Sequence, residues 1–212
     1  MKIEWLGHAS FYIQTNGKRI TTDPFDERLG YPVYGLESDL VTISHEHWDH
    51  NADYAVKGSP IVVRKDGISK FDDMSITVQG FQSYHDKVKG QARGFNTIYK
   101  ISSEDIEVLH LGDLGHLLTK EEVIQIGNVD ILLIPVGGTY TIDANEAYEL
   151  VNFINPKVVI PMHFKTPHLK LDIDYVEKFI QKYNKVIKKP YLEVSKNDIS
   201  DEMQIIVLDY LI

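Results

Sequence analysis

The chain has 212 residues, 43% hydrophobic and 25% charged, which is enough apolar content for a single globular domain over residues 1–212 with a sizeable core. A formal net charge of −9 argues against bulk binding to nucleic acid, which needs a basic face. The absence of cysteine excludes a disulfide framework, thiolate ligands and a thiol nucleophile.

Met1-Lys2-Ile3-Glu4-Trp5 lacks the apolar core of a signal peptide, and no apolar run reaches membrane-spanning length. A soluble cytoplasmic protein is expected, with no membrane partner. Ile3 and Trp5 alternate with Lys2 and Glu4, which predicts a first strand. Ser10–Thr15 and Lys18–Thr22 flank Asn16-Gly17, a strong hairpin signal because both turn positions need positive φ. Asp23-Pro24 ends the second strand of that hairpin. Residues 25–38 are rich in Gly, Pro and Tyr and predict a loop.

Further strands are expected at 40–44, 61–64, 75–79, 96–101, 106–111, 129–135, 158–160 and 204–208, with a short helix at 51–57. A helical turn or two is expected at 121–126. Asp143 and Glu146 form a capping-box pattern that predicts a helix from Ala144 to Phe153. Asp174 and Glu177 predict a second capped helix to about Asn184, with Val176, Phe179, Ile180 and Tyr183 on its apolar face. The first half reads as strands and the second alternates strands with helices. Packed sheets with helices outside bury all these faces.

The densest chemistry lies in Ser44-His45-Glu46-His47-Trp48-Asp49-His50-Asn51. Three histidines and two acids fall within six consecutive positions. Imidazole nitrogen and carboxylate oxygen are ligands for zinc and similar divalent ions. In an extended chain His45 and His47 point the same way and can clasp one metal, while Asp49 and His50 lie beyond a turn and can face a second. Three other strand ends carry a ligand type: His85, Asp113 and His163. His110 and His116 compete with His85. His110 sits inside a predicted strand, which suits a buried histidine bonded to a carbonyl or carboxylate.

His-x-His-x-Asp-His, a lone His, Gly-Asp and a late His, in that order, resemble the metallo-β-lactamase superfamily. Gly7-His8-Ala9-Ser10-Phe11, Thr22-Asp23-Pro24, Leu111-Gly112-Asp113, Pro135-Val136-Gly137-Gly138-Thr139 and Ile160-Pro161-Met162-His163 resemble the branch of metal-dependent hydrolases similar to L-ascorbate-6-phosphate lactonase. The resemblance spans nearly the whole chain. It implies an α/β (α+β) fold, a four-layer αββα sandwich with the site at one edge of the two sheets. It also implies two divalent ions, Zn2+ or else Mn2+ or Fe2+. His45, His47 and His85 would hold one. Asp49, His50 and His163 would hold the other, with Asp113 bridging.

The function then implied is hydrolysis of a small ester, lactone or phosphoester by a metal-bridging hydroxide oriented by Asp49. The alternatives are a phosphodiesterase or nuclease of the same fold, or a metal-binding module without catalysis. A redox di-iron protein is disfavoured because relatives of that kind carry Glu where this chain has His47. His8 and His168 are the candidates to protonate the leaving group. Asp23 is expected to accept from the free N–H of a ligand histidine. Arg93 and Lys165 are candidates to meet an anionic group on a small-molecule substrate. The Gly137–Tyr140 loop either offers amides to an oxyanion or is a tight turn. Trp48 is expected to pack against the metal loop.

Overall fold

The computed structural model describes residues 1–32 and 35–211; the predicted loop at 25–38 therefore includes Val33 and Tyr34, which lie outside the described residues. Its strands are β1 (Lys2–Gly7), β2 (Ser10–Thr15), β3 (Lys18–Thr22), β4 (Leu40–Thr42), β5 (Ile61–Val63), β6 (Gly67–Phe71) and β7 (Ile76–Tyr84). They continue as β8 (Phe95–Ser103), β9 (Ile106–His110), β10 (Ile131–Pro135), β11 (Val158–Met162), β12 (Val186–Lys189), β13 (Leu192–Glu193) and β14 (Gln204–Leu208). The helices are α1 (Lys120–Ile126), α2 (Ala144–Ile154) and α3 (Glu177–Ile180). No described helix is long and apolar enough to cross a membrane.

The strands form two sheets. The six-stranded sheet has the order β13-β1-β2-β3-β4-β5, and the eight-stranded sheet runs β12-β14-β11-β10-β9-β8-β7-β6. The predicted hairpin forms as expected: Thr15 pairs with Lys18, and Asn16 and Gly17 both have positive φ. Alternation on β2 divides the hydrophobic side chains between two faces. Phe11 and Ile13 enter the main core between the sheets, while Tyr12 joins a smaller cluster with Phe25, Leu29 and Tyr31 on the outer face. That outer layer is built from the 3-10 turn Glu27–Leu29 and neighbouring loops. The parallel strands β10 and β11 are buried at every residue, the pattern of strands covered on both faces. Helix α2 buries Ala147, Leu150 and Val151 against the core, and its capping box is complete.

Two helical expectations are corrected. Residues 51–57 supply only the 3-10 turn Asp53–Ala55. The helix expected to begin after Asp174 is reduced to the four residues of α3. The reason is that Asp174 is held extended: its N–H donates to the Gly137 carbonyl and its carbonyl accepts from Lys165 N. An N-cap needs its carbonyl free to accept the first intrahelical bond. Val186–Lys189 then pairs parallel with β14.

Candidate metal centre

Six chain segments meet at one edge of the two sheets. His8 occupies the β1–β2 turn, Asp23 follows β3, and the 45–50 run follows β4. His85, Asp113 and His163 follow β7, β9 and β11. Cross-sheet hydrogen bonds fix this edge. His163 N donates to the His8 carbonyl (2.9 Å), Thr97 N to the Ser44 carbonyl (2.8 Å) and His110 Nε2 to the Ala9 carbonyl (2.7 Å). Three of the site residues have positive φ: His8 at 53°, Asp23 at 38° and His163 at 51°. Such backbone persists only where the surroundings over-determine it, and it clusters at functional sites.

Asp113 lies at the centre. Its Oδ2 is 3.3 Å from Nε2 of His50, His85 and His163, and 3.9 Å from Nε2 of His45. Burial raises the pKa of this carboxyl, but His163 and His50 outweigh it and hold the group well below the usual carboxylate range. Asn96 on β8 positions the turn: its Oδ1 accepts from Asp113 N (2.9 Å), and its Nδ2 donates to the Leu111 carbonyl (2.9 Å). Gly112 is required there. Its φ is +55°, and a Cβ would stand 2.4 Å from Asn96 Oδ1 and 2.6 Å from Ser44 Cβ.

Three groups of three donors have all their ligand atoms within 4.8 Å of one another: His45, His47 and His85, then His8, His50 and His163, and also Asp23, His45 and His50. Asp49 adjoins the second, with Oδ2 3.2 Å from His8 Nε2 and 3.7 Å from His50 Nε2. Thus every residue predicted as a metal ligand is at this edge, and His8 lies among them. His8 is fully buried, and burial with the neighbouring His163 lowers its pKa to about 4. His45 is held down at about 3 by burial and His50. Burial also lowers His85. Neutral imidazole is the form that ligates a metal.

Asp23 sets two tautomers. Its carboxylate accepts from Ser44 N (2.7 Å), Ser44 Oγ (2.5 Å) and His50 Nδ1 (2.9 Å). Because Ser44 Oγ donates to Asp23, it accepts from His45 Nδ1 at 2.9 Å. Both rings therefore carry a proton on Nδ1 and turn Nε2 toward Asp113; burial lowers the His50 pKa, but Asp113 and Asp49 outweigh it and hold it well above the ordinary imidazole value, so a metal ion at His50 Nε2 would displace a proton. His45 Nε2, His50 Nε2 and Asp113 Oδ1 are buried with no hydrogen-bond partner. Buried polar atoms without partners are costly, and metal ions held between them remove that cost.

The competing residues are placed elsewhere. His110 has both ring nitrogens occupied, by the Ala9 carbonyl and Gly112 N. His116 Nε2 accepts from Tyr84 N, and its Nδ1 is 3.0 Å from the Leu117 carbonyl. His168 is exposed and lies against Tyr31 and Tyr210, outside the lining of the cavity; His8, the other acid candidate, is buried 3.2 Å from Asp49 and is also outside that lining. Glu46 turns away to Arg64. The amides of Gly138, Tyr140 and Thr141 bond to carbonyls of their own turn, so that loop is a tight turn. Trp48 is 39% exposed on the cavity rim, with the Arg28 guanidinium over its ring.

A cavity of about 400 Å³ opens over the centre, lined by His47, His85, Asp113 and His163 together with Trp48 and Arg93. Part of its wall is the 86–94 loop, which is wound around one carboxylate. Asp86 accepts backbone N–H bonds from Val88, Gly90, Ala92 and Arg93 at 2.8–2.9 Å. Burial works against its ionised form, yet the four donors bring its pKa to about 2. A carboxyl depressed from 3.8 contributes stability above its unfolded pKa and loses it as pH falls from about 4 toward about 2. Asp86→Asn should therefore lower the denaturant midpoint at pH 7, with the gap to wild type closing below pH 4. Parallel midpoints across that whole range would refute the loop's dependence on the ionised carboxylate. The sequence offered no sign of Asp86 or Asn96, because each works through backbone groups brought near by the fold.

The model of a Beta-lactamase superfamily domain matches residues 2–163. A protein of Caldivirga maquilingensis named as a metal-dependent hydrolase is 30% identical, over 80% of this chain and 85% of its own. One of Pyrobaculum islandicum with the same description is 27% identical, over 91% of this chain and 96% of its own. Among solved structures, a Thermotoga maritima protein described as a Zn-dependent hydrolase of the metallo-β-lactamase superfamily is 37% identical. Its TM-score is 0.82, covering 98% of this chain and 99% of that one.

Proposed function

This chain belongs to the metallo-β-lactamase superfamily, and we propose that it is a metal-dependent hydrolase with a dinuclear centre that cleaves a small ester, lactone or phosphoester. The observation that carries this reading is the convergence of unpartnered buried donors, His45 Nε2 and His50 Nε2, on Asp113, whose own Oδ1 is unpartnered and which lines an open cavity. His45, His47 and His85 would hold one ion. His50, His163 and Asp49 would hold the other, with Asp113 shared. Nitrogen and oxygen donors without thiolate suit Zn2+, Mn2+ or Fe2+. Such ions supply hydroxide at neutral pH and polarise the electrophile.

The protein's own groups complete the chemistry. Asp23 and Ser44 hold the Nδ1 protons of His50 and His45 and so aim each Nε2 at the centre. Asp49, kept ionised against burial by His50 and His8, orients the nucleophile. His8 Nε2, 3.2 Å from Asp49 Oδ2, is in place to hold that carboxylate in position. The cavity admits a small molecule with its scissile bond above Asp113.

The test is metal analysis of the purified protein together with a panel of esters, lactones and phosphodiesters, before and after chelation. The expected outcome is two metal equivalents per chain and turnover that chelation abolishes and Zn2+ or Mn2+ restores. Turnover that survives complete metal removal would sink the reading.

A further inference from the structure

Three of the chain's arginines have carboxylate partners. Arg19 meets Glu37 at 2.7 Å and Asp39 at 3.1 Å, Arg28 Nε meets Asp26 Oδ2 at 2.7 Å, and Arg64 meets Asp53 at 2.7 Å. The guanidinium of Arg93, the remaining one, has no carboxylate partner among the described residues, although the chain carries a net charge of −9. It is also the one lysine or arginine in the lining of the cavity above the candidate metal centre.

Arg93 is held ready. Its backbone N–H donates to Asp86 (2.8 Å), its Nη1 donates to the Thr139 carbonyl (2.8 Å), and its guanidinium lies 4.9 Å from the centre of the Tyr140 ring. Those contacts fix the plane of the group and use one of its edges. Nε and Nη2 donate to no described residue. Two parallel N–H groups on one edge of a fixed guanidinium match the two oxygens of a carboxylate. A planar fork with a single positive charge, and no second cation beside it in the wall, suits a monoanion better than a phosphate dianion. Trp48 and Leu171 supply apolar surface in the same cavity.

We propose that Arg93 anchors the substrate, and that the substrate carries a terminal carboxylate set apart from the bond that is cleaved. This rests on the hydrolase reading and adds the substrate's charge and its docking residue. The apolar faces of Trp48 and Leu171 take the chain between the carboxylate and the scissile group. Arg93 is a specificity residue here; the attack itself belongs to the centre below it.

The test compares two 4-nitrophenyl esters on the metal-loaded protein, the mono-ester of adipate and its adipamate counterpart, in which an amide replaces the free carboxylate. The wild type should favour the adipate ester. In Arg93→Gln the ratio of kcat/KM, adipate over adipamate, should fall about tenfold or more, the loss of one charge-assisted pair, and Arg93→Lys should lie between. An unchanged ratio in Arg93→Gln overturns the proposal.

Binding is read separately, so the two readings fail separately. Trp48 sits on the cavity rim and Trp5 is buried, so fluorescence follows titration with free adipamate (one carboxylate) and adipamide (none). Adipamate that binds about tenfold more weakly to Arg93→Gln, with adipamide indifferent to the substitution, supports the anchor even if neither ester turns over. Equal adipamate binding to both proteins overturns it. Arg93-dependent preference for a phosphate-terminated chain over adipamate overturns the carboxylate assignment.

Discussion

Asp113→Ala is expected to reduce bound metal to at most one ion per chain and to cut hydrolysis by about 10³-fold or more, a loss of several kcal/mol of transition-state stabilisation. The size follows from position. One carboxylate oxygen lies 3.3 Å from donor nitrogens of His50, His85 and His163, which belong to both proposed metal sets. The Asp113 backbone is held independently, by Asn96 Oδ1 on its N–H and by the close fit of Gly112. Truncating the side chain therefore removes the shared ligand while the turn keeps its course. Asp113→Asn separates charge from shape: it fills the same volume but is a poor bridging ligand. Metal analysis and turnover of both variants, with far-UV circular dichroism as a folding control, decide the matter. Two full equivalents of metal in both variants would refute the shared ligand.

Asp23 should matter nearly as much without being proposed to touch metal. It is wholly buried and accepts three hydrogen bonds, two of them from Ser44. Burial raises its pKa, but the bond from His50 and the nearby His110 and His45 rings outweigh this and keep it ionised. Asp23→Ala strands Ser44 N, Ser44 Oγ and His50 Nδ1 in a dry interior and should cost about 3–5 kcal/mol of stability. Asp23→Asn is the sharper variant. Its oxygen can still accept from Ser44 N. Its amide N–H2 then faces His50 Nδ1, which must accept, so the proton moves to His50 Nε2. That nitrogen faces Asp49 and Asp113 and is no longer a donor to metal. A folded Asp23→Asn protein should bind metal about 10–100-fold more weakly, the usual effect of removing the group that orients a ligand histidine. Competition with a chromophoric chelator measures this, and an unaltered affinity would rule out the tautomer argument.

The ligand types were legible in the sequence because metal chemistry restricts them to few residues, and all seven predicted ligands either follow a strand or sit in the 45–50 run. Strand ends can be read from apolar runs, as at Leu40–Thr42 before His45 and Val158–Met162 before His163. The Asn16-Gly17 hairpin and the Asp143 capping box were legible because their rules are local. What could not be read depended on distant partners. Asp174 looks like an N-cap until Gly137 and Lys165 claim its backbone. Gly67–Phe71 is half exposed beside β7 and shows no apolar alternation, so the edge strand left no pattern. His8 and His168 were both acid candidates along the chain, and the fold separates them by placing one against His163 and the other on the surface. Arg93 looked like an ordinary loop cation until the other arginines were seen to be paired.

The two sheets bring their ligands from opposite sides. His8 and the 45–50 run come from the six-stranded sheet, while His85, Asp113 and His163 come from the eight-stranded one. Each proposed metal ion would therefore tie one half of the protein to the other, in a chain that has no cysteine with which to do so. Such a tie is reversible and sensitive to concentration. It strengthens by about 1.4 kcal/mol for every tenfold rise in free metal above the dissociation constant. The resistance of this protein to unfolding would then follow the metal supply of its surroundings, much as a secreted domain's resistance follows the redox state of its disulfides.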